Sequence, residues 1–385
     1  LPTSLTAINL IIGAPVLGNP NAGYYSKLTV GPFIMASPVI DRPRIASYHP
    51  WTIPANWERG VTEEVSYRTE VITSRDGTEQ RIAQRVNPRY VFRFGVRVGP
   101  RRAAELERLL VRRQAWNYRF PHPRASVLLD RGHPGAAGFS GRFDGEPVVT
   151  ARTDRVLDLE VAVKVNPGVY VGDYLTSYEY PEGLEYHDGL EVLTLEPNWA
   201  DPVRITFGQK SEMFDLQRGV TGFNTPERFT NRTIQCGYML RNEEQENILR
   251  GLFARMRGQQ GEFYVADPLS AQIVLTSGIS AGAASITIPG PEFYRRFHTE
   301  EIYRNIAIQT RTGFLYCRIS SITLVGGNSR VSLTDTLPEI PLSDIIGVRW
   351  LLKMRFAADT LVFDWDTAAV GRITLTLRAL EDASP

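Results

Sequence analysis

The chain carries the same pattern twice, and that repetition limits what it can fold into. An Asn-Trp pair at Trp57 opens a strand-like run, a glycine turn follows at Gly77, and a second strand-like run closes the hairpin. The same order returns from Trp199 through Gly219. Alternation is clearest in "RYVFRFGVRV" from Arg89 to Val98, where Tyr90, Phe92 and Phe94 share one face and Val91, Arg93 and Gly95 the other. Its counterpart in the second copy is "RTIQCGYML", from Arg232 to Leu240.

Each hairpin leads directly into a helical pattern. In the first copy Pro100 stands at the helix entrance, and Ala103, Leu106, Leu109 and Leu110 fall on one face with arginines opposite. In the second, Asn242 is the N-cap, Gln245 completes a capping box, and Ile248, Leu249, Leu252 and Phe253 form the apolar face. Trp57, Trp199, Leu106, Leu109, Leu110, Leu249, Leu252 and Phe253 are the expected module-defining core. Serial short strands at 146–175 and 304–351, with a glycine near the end of each at Gly172 and Gly347, predict a small barrel attached to each copy. The expected chain is mainly β, built of α+β modules: an N-terminal arm over 1–50, a first unit over 51–197 and a second over 198–385. Two copies of this length are too few and too long for a solenoid.

Composition narrows the function. At 385 residues, 43% hydrophobic and 22% charged, the chain reads as a soluble globular protein of more than one unit. No apolar run reaches the roughly 18 residues of a membrane span, and no basic stretch precedes the first apolar one, so neither a span nor a signal peptide is expected. A net charge of +1 argues against a broad nucleic-acid binder. Cys236 and Cys317 lack metal or redox spacing and read as buried thiols, and the five histidines are scattered.

Catalytic patterns are missing. Ser140, in "GFSGRF", has neither the glycine spacing nor the following helix of a nucleophile elbow. No phosphate-binding glycine motif occurs. Asp364 and Asp366 flank Trp365 and in a strand would point the same way, toward a sugar or a metal, or form a polar hairpin end over a packed tryptophan. No catalytic residue, cofactor or metal is expected, and the chain reads as a non-enzyme.

Arginine is the more informative residue, 39 copies against four lysines. Arg75, Arg81, Arg85, Arg89, Arg93 and Arg97 lie along one hairpin, and Arg101, Arg102, Arg108, Arg112, Arg113 and Arg119 continue through the helix. Glu63, Glu64, Glu70, Asp76, Glu79, Glu105 and Glu107 are mixed among them. Mixed signs fit ion pairing between subunits, so Arg75, Arg81, Arg85, Arg89, Arg101, Arg102 and Glu79 are the expected subunit interface. A solvated surface, or a nucleic-acid surface using Tyr90, Phe92, Phe94, Trp116 and Tyr118, are the alternatives.

The set Trp57, Tyr67, Thr69, Ser74, Gly77, Glu79, Gln80, Arg81, Pro88 and Arg89 resembles the opening of tail proteins of long-tailed bacteriophages. The second copy keeps Trp199, Gly219 and the helix, and its "RFAADTLVFDW" is similar to the Arg-Phe-x-x-Asp close of that family. It lacks Gly-x-Glu-Gln-Arg, and the first copy lacks a clear Arg-Phe-x-x-Asp end. The resemblance implies a structural distal tail or tail-tip hub (baseplate) protein, a virion component assembled in the bacterial host cytoplasm. Its β-sandwich modules would join into a ring between the tail tube and the hub or receptor-binding apparatus. The implied partners are copies of itself, the tail tube, tape-measure and hub or receptor-binding proteins, and DNA passing transiently through the channel. Three copies of a two-module chain would match six positions; six copies in a ring are the competing arrangement. The expectation from a different class is a β-rich carbohydrate-binding or carbohydrate-active protein using Asp364, Asp366 and exposed aromatics.

Overall fold

The computed structural model describes residues 49–113, 117–131, 138–153, 155–166, 184–209, 211–215, 221–224, 230–269, 273–300 and 303–380. Of the arm expected over 1–50, all but the last two residues lie outside this set, as do the turn at Gly219 and the glycine at Gly172. Residues Ser47–Pro385 form one compact unit, mainly β with helices packed on it.

The organising feature is one run of antiparallel strands that crosses both halves of the chain. Val148–Thr153 pairs with Val156–Val165, which pairs with Arg89–Val98, which pairs with Asn56–Ser66. Asn56–Ser66 then pairs with Thr360–Trp365, and the run continues through Gly371–Ala379 and Asn231–Leu240 to Arg204–Gly208. Alternation along the inner strands gives the sheet a buried and a wet face. Val61, Phe92, Phe94, Val161, Val163, Phe363, Trp365, Leu375, Ile234 and Cys236 lie in the core, while Arg93, Arg97, Asp364 and Arg372 face solvent. The main core cluster among the described residues draws on both halves.

Four helices are present among the described residues: α1 (Pro100–Arg113), α2 (Ala125–Asp130), α3 (Glu243–Met256) and α4 (Glu292–Phe297). Helix α1 opens on Pro100, where a missing N–H leaves nothing unsatisfied. In α3 the Gln245 N–H donates to Asn242 Oδ1 at 2.9 Å, and Gln245 Oε1 accepts from the Arg241 N–H at 2.9 Å, one residue upstream of the usual capping-box partner. The helix ends on Arg257 at φ 51° and Gly258 at φ 73°. A side chain at Gly258 would strike Asp359, whose carboxylate accepts from the backbone N–H groups of Thr69 and Gln259.

The duplication is visible in the strand order. The spacing from Trp57 to Trp199 also takes Phe92 to Ile234 and Gly95 to Gly237, and the partners agree: Glu63 faces Phe92 as Ile205 faces Ile234. Each half contributes four strands in the same order, so Asn56–Ser66 corresponds to Arg204–Gly208 and Val148–Thr153 to Thr360–Trp365. The first-half strands expected in a small barrel, Val148–Thr153 and Val156–Val165, therefore run in the main sheet, because Phe94 and Phe92 bury themselves across from Val161 and Val163. In the second half the strands within 304–351 pair among themselves and with Ala283–Ile288, and they stay joined to the main run, because Ile345–Phe356 also pairs with Gly371–Ala379 and with Phe263–Ala266. Ala283–Ile288, Asn328–Leu337, Gly313–Val325, Asn305–Thr310 and Ile345–Phe356 pair in that order. The boundary expected at 197 is crossed as well, since Leu190–Leu193 adds in parallel to Phe263–Ala266.

Candidate assembly interface

Where the halves meet, Asn56–Ser66 and Thr360–Trp365 align Val61 with Trp365, Glu63 with Phe363 and Val65 with Leu361. Glu63 is on the core side between Val61 and Val65 and is wholly buried. A lone carboxylate there would cost several kcal/mol, so it must be paired. Arg250 of α3 supplies the pair, its Nη1 and Nη2 donating to Glu63 at 2.7 and 2.6 Å and its Nε to Glu246 at 2.9 Å. Arg124 grips the other side of Glu246 through two hydrogen bonds of 2.7 and 2.8 Å and lies 3.4 Å over the Trp365 ring. Arg131 adds a bond of 2.9 Å to Glu246, and Trp365 Nε1–H one of 3.2 Å to Glu63. Burial alone would raise the pKa of both glutamates, but the guanidinium charges of Arg250 and Arg124 hold them below the usual carboxylate range. Nearby His122, buried and accepting the Arg124 N–H on Nδ1 at 3.1 Å, is pushed down to about 4 by desolvation. Glu63 and Arg124 belong to the first half, Glu246 and Arg250 to the second, and the cluster locks the joint.

A second tie comes from the hairpin Thr69–Thr73 and Glu79–Ala83. Arg355 clamps Glu79 from Nε and Nη2 at 2.8 and 2.9 Å, Arg378 adds a contact at 3.0 Å, and Arg81 pairs with Glu262, which also binds Lys353 at 2.7 Å. Two residues expected between subunits, Glu79 and Arg81, are thus engaged within the chain. Arg75, exposed, reaches Glu212 at 3.5 Å, and Arg85 donates to the Ser66 carbonyl at 3.2 Å. Arg89, Arg101 and Arg102 are exposed.

Among the expected core residues, Leu106, Leu110, Leu249, Leu252 and Phe253 are buried, and Trp57 and Leu109 pack half-buried against the core. Trp199 differs: it is 57% exposed. The reason is topological. Trp57 leads into a strand that has found its neighbour, and Trp199 leads into Arg204–Gly208, which among the described residues pairs on one side only. At the far end of the run Val148–Thr153 is in the same position, and all six of its residues are exposed.

Both open edges carry apolar side chains on the core side of the sheet, Phe207 at 65% exposure on one and Val149 at 41% on the other. Within their bounds neither strand contains the lysine, proline or inward charge by which sheet edges commonly discourage pairing, and Pro147 stands just before Val148–Thr153.

The aspartates flanking Trp365 are occupied within the chain: Thr62 Oγ1 donates to Asp364 at 3.1 Å, and Arg372 makes two bonds of 2.8 and 2.9 Å to Asp366. Among the described residues no group of histidine, cysteine and carboxylate side chains is arranged to hold a metal, and no helix is long and apolar enough to cross a membrane. Cys236 and Cys317 are free and buried, burial pushing Cys317 up to about 12. Sequence reasoning missed the Glu63, Arg124, Glu246 and Arg250 cluster. Its signal was available in Glu63, placed between two core valines, and in the Glu246 and Arg250 spacing beside Leu249 on α3. No family model matches the chain, and no curated protein matches it in sequence.

Proposed function

We propose that the protein is a structural ring component of a bacteriophage tail tip or baseplate, joining the tail tube to the hub and receptor-binding apparatus. The observation that supports this reading is the pair of edges at opposite ends of one sheet that have no partner strand among the described residues. Two different, mutually compatible surfaces on one chain make heterologous contacts, and such contacts close into rings or run on as filaments. In this reading each half is one sandwich-type module, with the Ala283–Leu337 meander as the appended barrel of the second. The wet face of the sheet turns to the channel and the helices lie outside. Three chains would present six modules, and six chains twelve.

Native mass measurement and particle imaging of the purified protein over a concentration series, alone and with its tail-tube protein, test the proposal. Closed rings of three or six copies are expected. A chain that stays monomeric at every concentration, with and without the tube protein, would overturn it.

A further inference from the structure

We infer that the protein joins a second copy of itself by pairing Arg204–Gly208 of one chain with Val148–Thr153 of the next, antiparallel and in the register of its own internal joint. The inference rests on the ring reading above and says which edges meet and how.

The internal joint is a template because its two strands have counterparts that, among the described residues, pair on one side only. Asn56–Ser66, which pairs with Thr360–Trp365, corresponds to the open strand Arg204–Gly208. Thr360–Trp365 corresponds to the open strand Val148–Thr153. The second correspondence is fixed through the neighbours: Gly95 faces Glu160 as Gly237 faces Thr374, so Asp158 matches Arg372, and their partners Thr150 and Asp364 match in turn. Within the joint Val61 faces Trp365, Thr62 faces Asp364 and Glu63 faces Phe363. Carried to the open edges, Val203 faces Ala151, Arg204 faces Thr150 and Ile205 faces Val149 of the next copy, with Phe207 beside Pro147. Every core-side pair in that register is apolar. Arg204 and Thr150 fall on the wet face, as Thr62 and Asp364 do.

The helix layer agrees. At the internal joint α3 reaches across, placing Arg250 on Glu63 of the other half. Its counterpart α1 follows the first-half hairpin in the same way and carries Val111 at 75% exposure. By the spacing of the two halves Val111 stands where Phe253 stands in α3, packed against Tyr67 across the internal joint, so in the inferred joint Val111 lies against the edge of the next copy that carries Arg204–Gly208.

Paired cysteines test the register. Arg204→Cys and Thr150→Cys are placed in the full chain, both at exposed positions, with buried Cys236 and Cys317 retained. Treatment with a short bis-thiol reagent is expected to give a ladder of covalent dimers and higher species ending at the ring size. The yield should exceed that of an Arg204→Cys, Glu146→Cys control by about tenfold, since facing residues lie within roughly 5.5 Å and the control pair several residues apart. Phe207→Asp should abolish the ladder with the monomer's unfolding midpoint unchanged. Rings that form without crosslinking at this pair would overturn the joint and leave the ring reading standing. Crosslinked open filaments would uphold the joint and overturn the ring. A protein that neither crosslinks nor assembles would overturn both.

Discussion

Glu63 shows how a single side chain can be misread from sequence. It sits in a mixed-charge stretch, and charge mixing suggests solvent, yet strand alternation puts it on the same face as Val61 and Val65, inside the core. Once there it requires Arg250, and Arg250 requires a position on a helix from the other half. Removing one member leaves the others charged and buried, so Glu246→Gln or Arg250→Ala should cost roughly 3–5 kcal/mol in denaturant-unfolding measurements. The cluster also sets acid sensitivity. The glutamates hold pKa values below their ordinary 4.5, so their contribution is complete above that value and is lost as pH falls through the folded-state values. His122 acts in a separate window. Its folded pKa of about 4 lies below the 6.5 of the unfolded ring, so the unfolded chain binds the extra proton between the two and stability falls as pH drops from 6.5 toward 4. That decline should amount to about 3 kcal/mol. His122→Gln should flatten it, with the loss below 4.5 retained, in unfolding midpoints followed across pH.

Elements built from local pattern were legible: the hairpins, the two long helices, the Pro100 entrance and the Asn242 cap each depend on residues close in sequence. The pairing of Asn56–Ser66 with Thr360–Trp365 was not, because those strands lie some 300 residues apart and each reads equally well as the edge of its own sheet. Two strands of the barrel expected over 146–175, Val148–Thr153 and Val156–Val165, joined the main sheet for a related reason. Short strands separated by turns look alike whether they close on themselves or extend a neighbour, and the aromatic face of Arg89–Val98 decided for extension. The docked hairpin 69–83 gives a prediction at this scale. Arg355 is 2% exposed, and Glu79→Ala would strip the carboxylate from it. The variant should lose about 3 kcal/mol of stability, and limited proteolysis should cut the hairpin sooner than in the parent chain. Charge reversal at Arg81 should likewise lower the monomer's unfolding midpoint, because its partner Glu262 lies in the same chain.

For the whole molecule, the duplication was readable and its purpose only in part. Sequence alone located two similar halves; it could not show that they share one sheet, since that depends on which edges find each other. The equivalence of Trp57 and Trp199 provides a reporter. Trp57, beside a satisfied edge, is half-buried, and Trp199, beside an open one, is exposed. On assembly Trp199 should become shielded. The difference in fluorescence between the parent and Trp199→Phe should shift to the blue and lose its iodide quenching as protein concentration rises, and in Phe207→Asp it should not.

The contrast between Glu63 and Ile205 also acts on errors. During synthesis many copies of the open strand Val148–Thr153 surround a half-made chain whose Asn56–Ser66 strand is still waiting for Thr360–Trp365. Pairing those two would bury Glu63 against Val149 without the bidentate grip of Arg250, a mismatch costing several kcal/mol. Ile205, at the corresponding place on the proper docking edge, carries no such penalty. One carboxylate thus sorts folding from polymerisation: the chain can complete itself before it can capture a neighbour.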